Sequence, residues 1–240
     1  MSEVKEQAAA ARGRAPQPLI ELDDVCKSYR RGSEEVHALR HVSFSLAPGE
    51  VVALFGPSGS GKSTLLAVLA GWEQPDRGTV TWSDGGPPPA DRLWSDVAVL
   101  PQTLGLLEEL SVRENVELPL RLRGGKERHE RVEGFLRYLG LDHLAERVPA
   151  EISIGEQQRT ALARALVLVP RLFLADEPTG HQDEAWAKVV FKTMKLASRM
   201  GTSCFIATHN DEATRITDRV LTIRDGALGA EGNASPTAAG

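Results

Sequence analysis

Cysteine is scarce: Cys26 and Cys204 are the only two in 240 residues, which argues against a disulfide or cysteine-built metal framework. Both stand among apolar or strand-like neighbours, so reduced, buried thiols are expected. Long apolar runs are also missing. Runs such as Val51–Phe55 and Ala165–Val169 fall far short of the roughly 18 residues that would mark a membrane span. A surplus of positive charge is absent too, with 28 Lys and Arg against 33 Asp and Glu and a net charge of −5. No global basic field is therefore available for nucleic acid or anionic lipid. No internal repeat stands out, and residues 1–18 carry charges among their alanines without an apolar h-region. They are expected to be a flexible extension rather than a signal peptide, and 230–240 a flexible tail.

What is present is an ordinary globular composition, 41% hydrophobic and 25% charged, enough for one sizeable core with an attached subdomain. Val42, Phe44 and Leu46 alternate with small or polar residues ahead of a Pro48-Gly49 turn, which predicts a half-buried antiparallel strand. Val51–Phe55, Leu172–Ala175, Cys204–Ala207 and Val220–Ile223 are continuously apolar instead, as in strands covered on both faces. Trp186, Val189, Val190, Thr193, Leu196, Ala197 and Met200 follow helical spacing. The alternation of strand and helix makes the core α/β. Residues 103–169 lack buried-strand runs and contain helical candidates at Ser111–Leu118, Lys126–Leu139 and Glu156–Val169, so they are expected to form an inserted helical subdomain. Gly85-Gly86-Pro87-Pro88-Pro89 predicts an exposed loop with neither ladder nor helix. The mixed charges of 121–133 predict a solvated helix face.

Gly56-Pro57-Ser58-Gly59-Ser60-Gly61-Lys62-Ser63 fits G-x-x-x-x-G-K-[ST], between a buried strand and a helix predicted over Lys62–Leu69. Glycines let backbone N–H groups converge on phosphate oxygens, and the helix N-terminus adds partial positive charge. Lys62 is expected to reach the β and γ phosphates and Ser63 to ligate Mg²⁺. At the end of another buried strand, Asp176 is expected to hold Mg²⁺ through water and Glu177 to act as general base on an attacking water.

With these motifs in this order, residues 19–229 resemble the ATPase subunits of ABC transporters. The resemblance implies a P-loop fold with an N-terminal antiparallel β subdomain, a RecA-like core and the inserted helical subdomain. It makes Tyr29 the aromatic that stacks on adenine, extends the phosphate loop to Thr64, and makes Gln102 the glutamine that touches metal and attacking water. Ile152-Ser153-Ile154-Gly155-Glu156-Gln157-Gln158-Arg159 stands where the family has L-S-G-G-Q-Q-x-R. Ser153 and Gly155 are thereby expected to bind the γ-phosphate held by a second ATPase subunit, with Asp183 crossing the dimer interface. His209 becomes the switch histidine. The other five histidines show no metal-ligand spacing. ATP and Mg²⁺ are the implied cofactors. A transmembrane permease and a second ATPase subunit, identical or not, are the implied partners, without nucleic acid, at the cytoplasmic face of the membrane.

Glu177-Pro178-Thr179-Gly180 and Glu114-Asn115-Val116-Glu117-Leu118-Pro119-Leu120 resemble the macrolide-exporter and lipoprotein-releasing branch, in which closure on ATP drives a mechanical stroke. A non-transport complex of the cell-division type, or a soluble ABC ATPase, are the alternative readings. The last is disfavoured by the single cassette, the acidic balance and the lack of a zinc-ligand cluster or long coiled coil. Three departures fall in one expected interface. Ile154 replaces a glycine, Glu156 replaces a glutamine, and His181-Gln182 replaces Asn-Leu.

Overall fold

The computed structural model describes residues 17–92, 95–101, 103–124, 128–178, 184–209, 211–229 and 232–233. The expected extension up to residue 16 and nearly all of the expected tail lie outside them, as do Gln102, Thr179, Gly180, His181, Gln182 and Asp183. Strands β1 (Ile20–Arg31), β2 (Glu34–Leu46) and β4 (Arg77–Trp82) form an antiparallel sheet in the order β2-β1-β4, while β3 (Val51–Phe55) leaves it for the core. The second sheet runs β10-β8-β3-β7-β6-β5, with β5 (Val97–Leu100), β6 (Leu172–Asp176), β7 (Ser203–Ala207), β8 (Arg219–Arg224) and β10 (Gly232–Asn233). Its central strands are parallel, and β9 (Ala227–Leu228) folds back on β8. Asp225 (φ 48°) and Gly226 (φ 81°) make that reversal, which needs two left-handed residues in a row.

The continuously apolar strands are buried on both faces. Leu172 and Leu174 of β6 pack into one core with Leu54, Phe205 and the N-terminal sheet, while Phe173 and Ala175 pack into the other with Ile206 and the helices. Helix α1 (Lys62–Leu69) follows β3, and its Leu65, Leu66 and Leu69 lie in the first core. Full burial of such a leucine contributes about 1.5–3 kcal/mol.

Helices α2 (Val112–Arg123), α3 (Arg128–Tyr138) and α4 (Ile154–Leu166) follow β5 and pack into the second core, and α5 (Glu184–Arg199) joins it after β6. α2 continues past Leu118, because Pro119 removes only one N–H from a helix already fixed by the Ser111–Glu114 capping box and the buried Asn115. Asn115 donates to Leu107, Leu110 and Ser111 carbonyls and accepts from the Leu107 amide, which ties the preceding loop to the helix. α4 begins two residues earlier than expected, at Ile154, because Ser153 caps it. Its C-terminal end comes at Leu166, with Val169 left-handed at φ 52° ahead of Pro170. On α5 the buried stripe is Trp186, Ala187, Val190, Phe191, Met194 and Ala197. Leu196 and Met200 of the expected face are exposed.

The proline-rich loop is exposed, yet it carries a 3-10 turn over Pro89–Asp91 in which Pro89 is buried. Asp84 fixes the loop through Arg92 and Arg171, whose guanidiniums lie 4.2 Å and 5.3 Å from the Trp82 ring. The two arginines hold the Asp84 carboxyl well below the usual carboxylate range, Arg92 most strongly.

Candidate functional site

The loop between β3 and α1 forms one wall of a cleft of about 870 Å³, with Asp176, Glu177 and His209 lining it from β6 and the end of β7. Its shape depends on glycine. A Cβ on Gly56 would lie 2.3 Å from the Ile223 carbonyl and 2.6 Å from Ser60 Oγ. One on Gly61, at φ +107°, would lie 2.3 Å from the Ala38 carbonyl. β8, the turn that follows it and β2 thus clamp the loop. Arg40 N donates to Gly226, and Gly226 N donates to Ser60.

Gly61 caps α1 without a side-chain hydrogen bond, and no acidic residue stands in the first turn. The helix opens onto the cleft with its first N–H groups uncapped by any described side chain, an arrangement suited to phosphate. Lys62 is buried, and its ammonium donates to the carbonyls of Gly56 (2.7 Å) and Pro57 (3.2 Å) while lying 3.5 Å from Glu177 Oε1. The other carboxylate oxygen, Oε2, accepts from His209 Nδ1 at 2.8 Å. Glu177 is held left-handed at φ 47°, with its amide donating to Ala207. A non-glycine residue rarely keeps that conformation unless its surroundings enforce it. Asp176 Oδ1, beside it, is buried without a hydrogen-bond partner. An unpartnered carboxylate oxygen next to a cationic loop fits a hard divalent cation, which takes oxygen ligands. The cleft residues therefore fit both a polyphosphate and its metal.

A family model described as ABC transporter matches residues 39–180. The chain belongs to the ABC transporter family, as an ATP-binding cassette. Among solved structures, it is similar to the dimeric cassette MJ0796 in a post-hydrolysis state bound to ADP and Pi. That likeness is 32% identical over 90% of this chain and 99% of the other, with a TM-score of 0.80. An ATP-binding subunit of an ABC transporter is 28% identical over 90% of each chain, with a TM-score of 0.79. CbiO1 from Clostridium perfringens, part of the ABC transporter complex cbiONQ, is 25% identical over 90% of this chain and 89% of its own, with a TM-score of 0.79. The cassette is thus a nucleotide-binding ATPase domain. None of its described helices is long and apolar enough to cross a membrane.

Of the residues singled out in the cassette's sequence, Gly56, Ser58, Gly59, Gly61, Lys62, Ser63, Thr64, Asp176, Glu177 and His209 line one cleft. Ser60 does not. It is 3% exposed, with its amide donating to Pro57 and its hydroxyl buried beneath Gly56. Tyr29 lies outside the cleft lining, paired with Val36 across the sheet and with Lys27 Nζ 5.5 Å from its ring. Val36, His37 and the acidic pair Glu34 and Glu35 line the cleft instead. Sequence spacing gave no sign of them, because the β1–β2 hairpin alone carries them there. Ser153 and Gly155 lie at the N-terminus of α4, apart from this cleft. Ile154 between them is 61% exposed. Gln102 and Asp183 lie outside the described residues.

Proposed function

We propose that this cassette is the ATP-hydrolysing subunit of an ABC transporter complex of the macrolide-exporter, lipoprotein-releasing and cell-division branch. In this reading it works with a second cassette and a membrane permease, and is held at the cytoplasmic face through that permease. The observation that carries the hydrolytic part is the Glu177 carboxylate, set between Lys62 and His209 at the head of the phosphate-loop cleft. The dimeric state of MJ0796 and the complex containing cbiO1 support the pairing and the permease. The branch rests on the resemblance of residues 114–120 and 177–180.

The amides of residues 58–64 and the α1 terminus hold the β and γ phosphates of ATP. Lys62 exchanges its loop carbonyls for phosphate oxygens, at little reorganisation because the side chain is already buried beside them. Ser63 and Asp176 would hold Mg²⁺, with Gln102 as the resemblance implies, and the ion would supply neutralisation of the phosphate charge. Glu177 takes a proton from water as the water oxygen attacks the γ phosphorus and ADP departs. His209 keeps the Glu177 carboxylate turned toward the cleft. Ser153 and Gly155 present the α4 N-terminus to the γ-phosphate bound by the second cassette, and Tyr29 stacks on adenine once the base is seated.

The test has two parts. Mg-dependent ATP turnover by the purified complex is expected to exceed that of the Glu177→Gln complex by a factor of hundreds or more; equal rates would remove the base assignment. A tagged pull-down from gently solubilised native membranes is expected to recover a permease with a large extracytoplasmic domain. Recovery of soluble proteins alone would overturn the transporter reading.

A further inference from the structure

On the paired strands β1 and β2, outside the cleft lining, three side chains of different chemistry meet. Asp24, Cys26 and His41 each offer a ligand atom, and those atoms all lie within 4.8 Å of one another. Asp24 and Cys26 share one face of β1, since Val25 between them is fully buried on the other. The register of β1 breaks on both of its neighbours here, between Leu22 and Val25 against β2 and between Asp23 and Cys26 against β4. The bulge brings His41 of β2 over the pair. We propose that Asp24, Cys26 and His41 form a binding site for a thiophilic divalent cation of the zinc class.

The donor set is a sulfur, an imidazole nitrogen and a carboxylate oxygen, the three kinds that Zn²⁺ takes at about 2.0–2.3 Å. Three protein ligands leave a fourth position for water, and the exposed side chain of His41 leaves that position open to solvent. Asp24 Oδ1 accepts from His41 Nδ1 at 2.6 Å, closer than the roughly 3.5 Å between ligands of a tetrahedral ion with such bonds. Rotation of the exposed ring supplies the difference. Coordination through Nδ1 requires the ring proton to sit on Nε2, and the Cys26 thiol releases its proton to water.

The surroundings already orient the ligands. The His41 amide donates to Cys26 Sγ at 3.3 Å, and the Asp24 amide donates to Ser43 Oγ at 2.9 Å. Arg77 holds the second oxygen of Asp24, Oδ2, at 3.0 Å, which leaves Oδ1 on the His41 side. Such outer contacts fix ligand orientation around metals. Both Asp24 and His41 are left-handed, each at φ 51°, and Gly78 of β4 packs directly on the bulge, where a Cβ would lie 2.4 Å from the Asp24 carbonyl. The sheet thus enforces the geometry. No other group of three or more such side chains occurs among the described residues.

The test uses the full chain, nucleotide-free, titrated with Co²⁺ and then Zn²⁺. A thiolate-to-cobalt charge-transfer band is expected at one equivalent and is displaced by Zn²⁺. Cys26→Ser abolishes it, His41→Ala and Asp24→Asn weaken the apparent affinity by on the order of tenfold or more, and Cys204→Ala leaves it intact. Circular dichroism of each variant identifies any that has lost its fold. In the unaltered chain, Zn²⁺ is also expected to protect Cys26 from alkylation, read by intact mass. Absence of the band together with absence of protection overturns the proposal, as does a band that survives Cys26→Ser.

Discussion

The Ser153 hydroxyl donates to Glu156 Oε2 at 2.7 Å, and the Ser153 amide donates to the same oxygen at 2.7 Å. Those bonds hold the Glu156 carboxyl below its ordinary range, so the N-terminus of α4 carries a full negative charge. The hydroxyl that the proposed dimer needs for a partner's γ-phosphate is committed to that carboxylate. Glu156→Gln is expected to raise ATP-dependent dimerisation and turnover by roughly three- to tenfold, a change of about 1 kcal/mol. Stability should barely change, since glutamine also completes a capping box. Sedimentation with ATP and a steady-state phosphate assay check this; unchanged rates would mean that the charge does not face the nucleotide.

Two glycines separate folding from function. Gly61→Ala forces a Cβ at φ +107° to within 2.3 Å of the Ala38 carbonyl, and is expected to cost at least about 2 kcal/mol in urea denaturation. At Gly155 a Cβ meets only Arg159 Nη1, at 3.8 Å. Gly155→Ala should leave stability unchanged or raise it by up to about 1 kcal/mol, while lowering turnover through the proposed dimer face. Full activity in that variant would remove Gly155 from the interface.

Glu177→Gln keeps an acceptor for His209 but cannot take a proton. It is expected to retain ATP in filter binding while turnover falls by roughly 10²- to 10⁴-fold. His209→Ala should lower turnover with less effect on binding. Lys62→Ala should lose binding itself, because its buried ammonium sits in the phosphate-loop cleft on the Gly56 and Pro57 carbonyls, where phosphate oxygens would be held.

Burial pushes the Cys204 thiol up to about 12, from an ordinary 9.0. The unfolded chain ionises this thiol first as pH rises, so the folded state holds its full stability below pH 9. It then loses about 1.4 kcal/mol per pH unit until the folded thiol itself ionises. Urea midpoints at pH 8 and 10.5 are expected to fall further for the native chain than for Cys204→Ala. Parallel falls would show that Cys204 does not govern the alkaline slope.

The α/β core was legible because strands covered on both faces must be apolar throughout. Val51–Phe55 and Leu172–Ala175 therefore announced themselves, and the phosphate loop between β3 and α1 followed from its glycines. Less legible was whatever depends on pairing. That Val36, paired with Tyr29, joins the cleft lining could not be read from composition, because the register of a long hairpin is set by bulges that composition does not mark. The start of α4 at Ile154 is less legible than its body, since it depends on Ser153 serving as the cap. Cys26 was expected to be buried, and the structure leaves it half-buried beside His41.

The P-loop, the acid pair at the end of a buried strand, and the order of motifs that places the chain among ABC cassettes are all readable from the order of residues. These are local, because backbone conformation and strand burial follow from neighbouring residues. Which side chains meet is settled by the folded chain alone. It brought Glu177 between Lys62 and His209, and Asp24 and Cys26 beneath His41, across separations of 115, 32 and about 15 residues in the chain. Those meetings depend on sheet order and register, which the packing of the whole chain fixes.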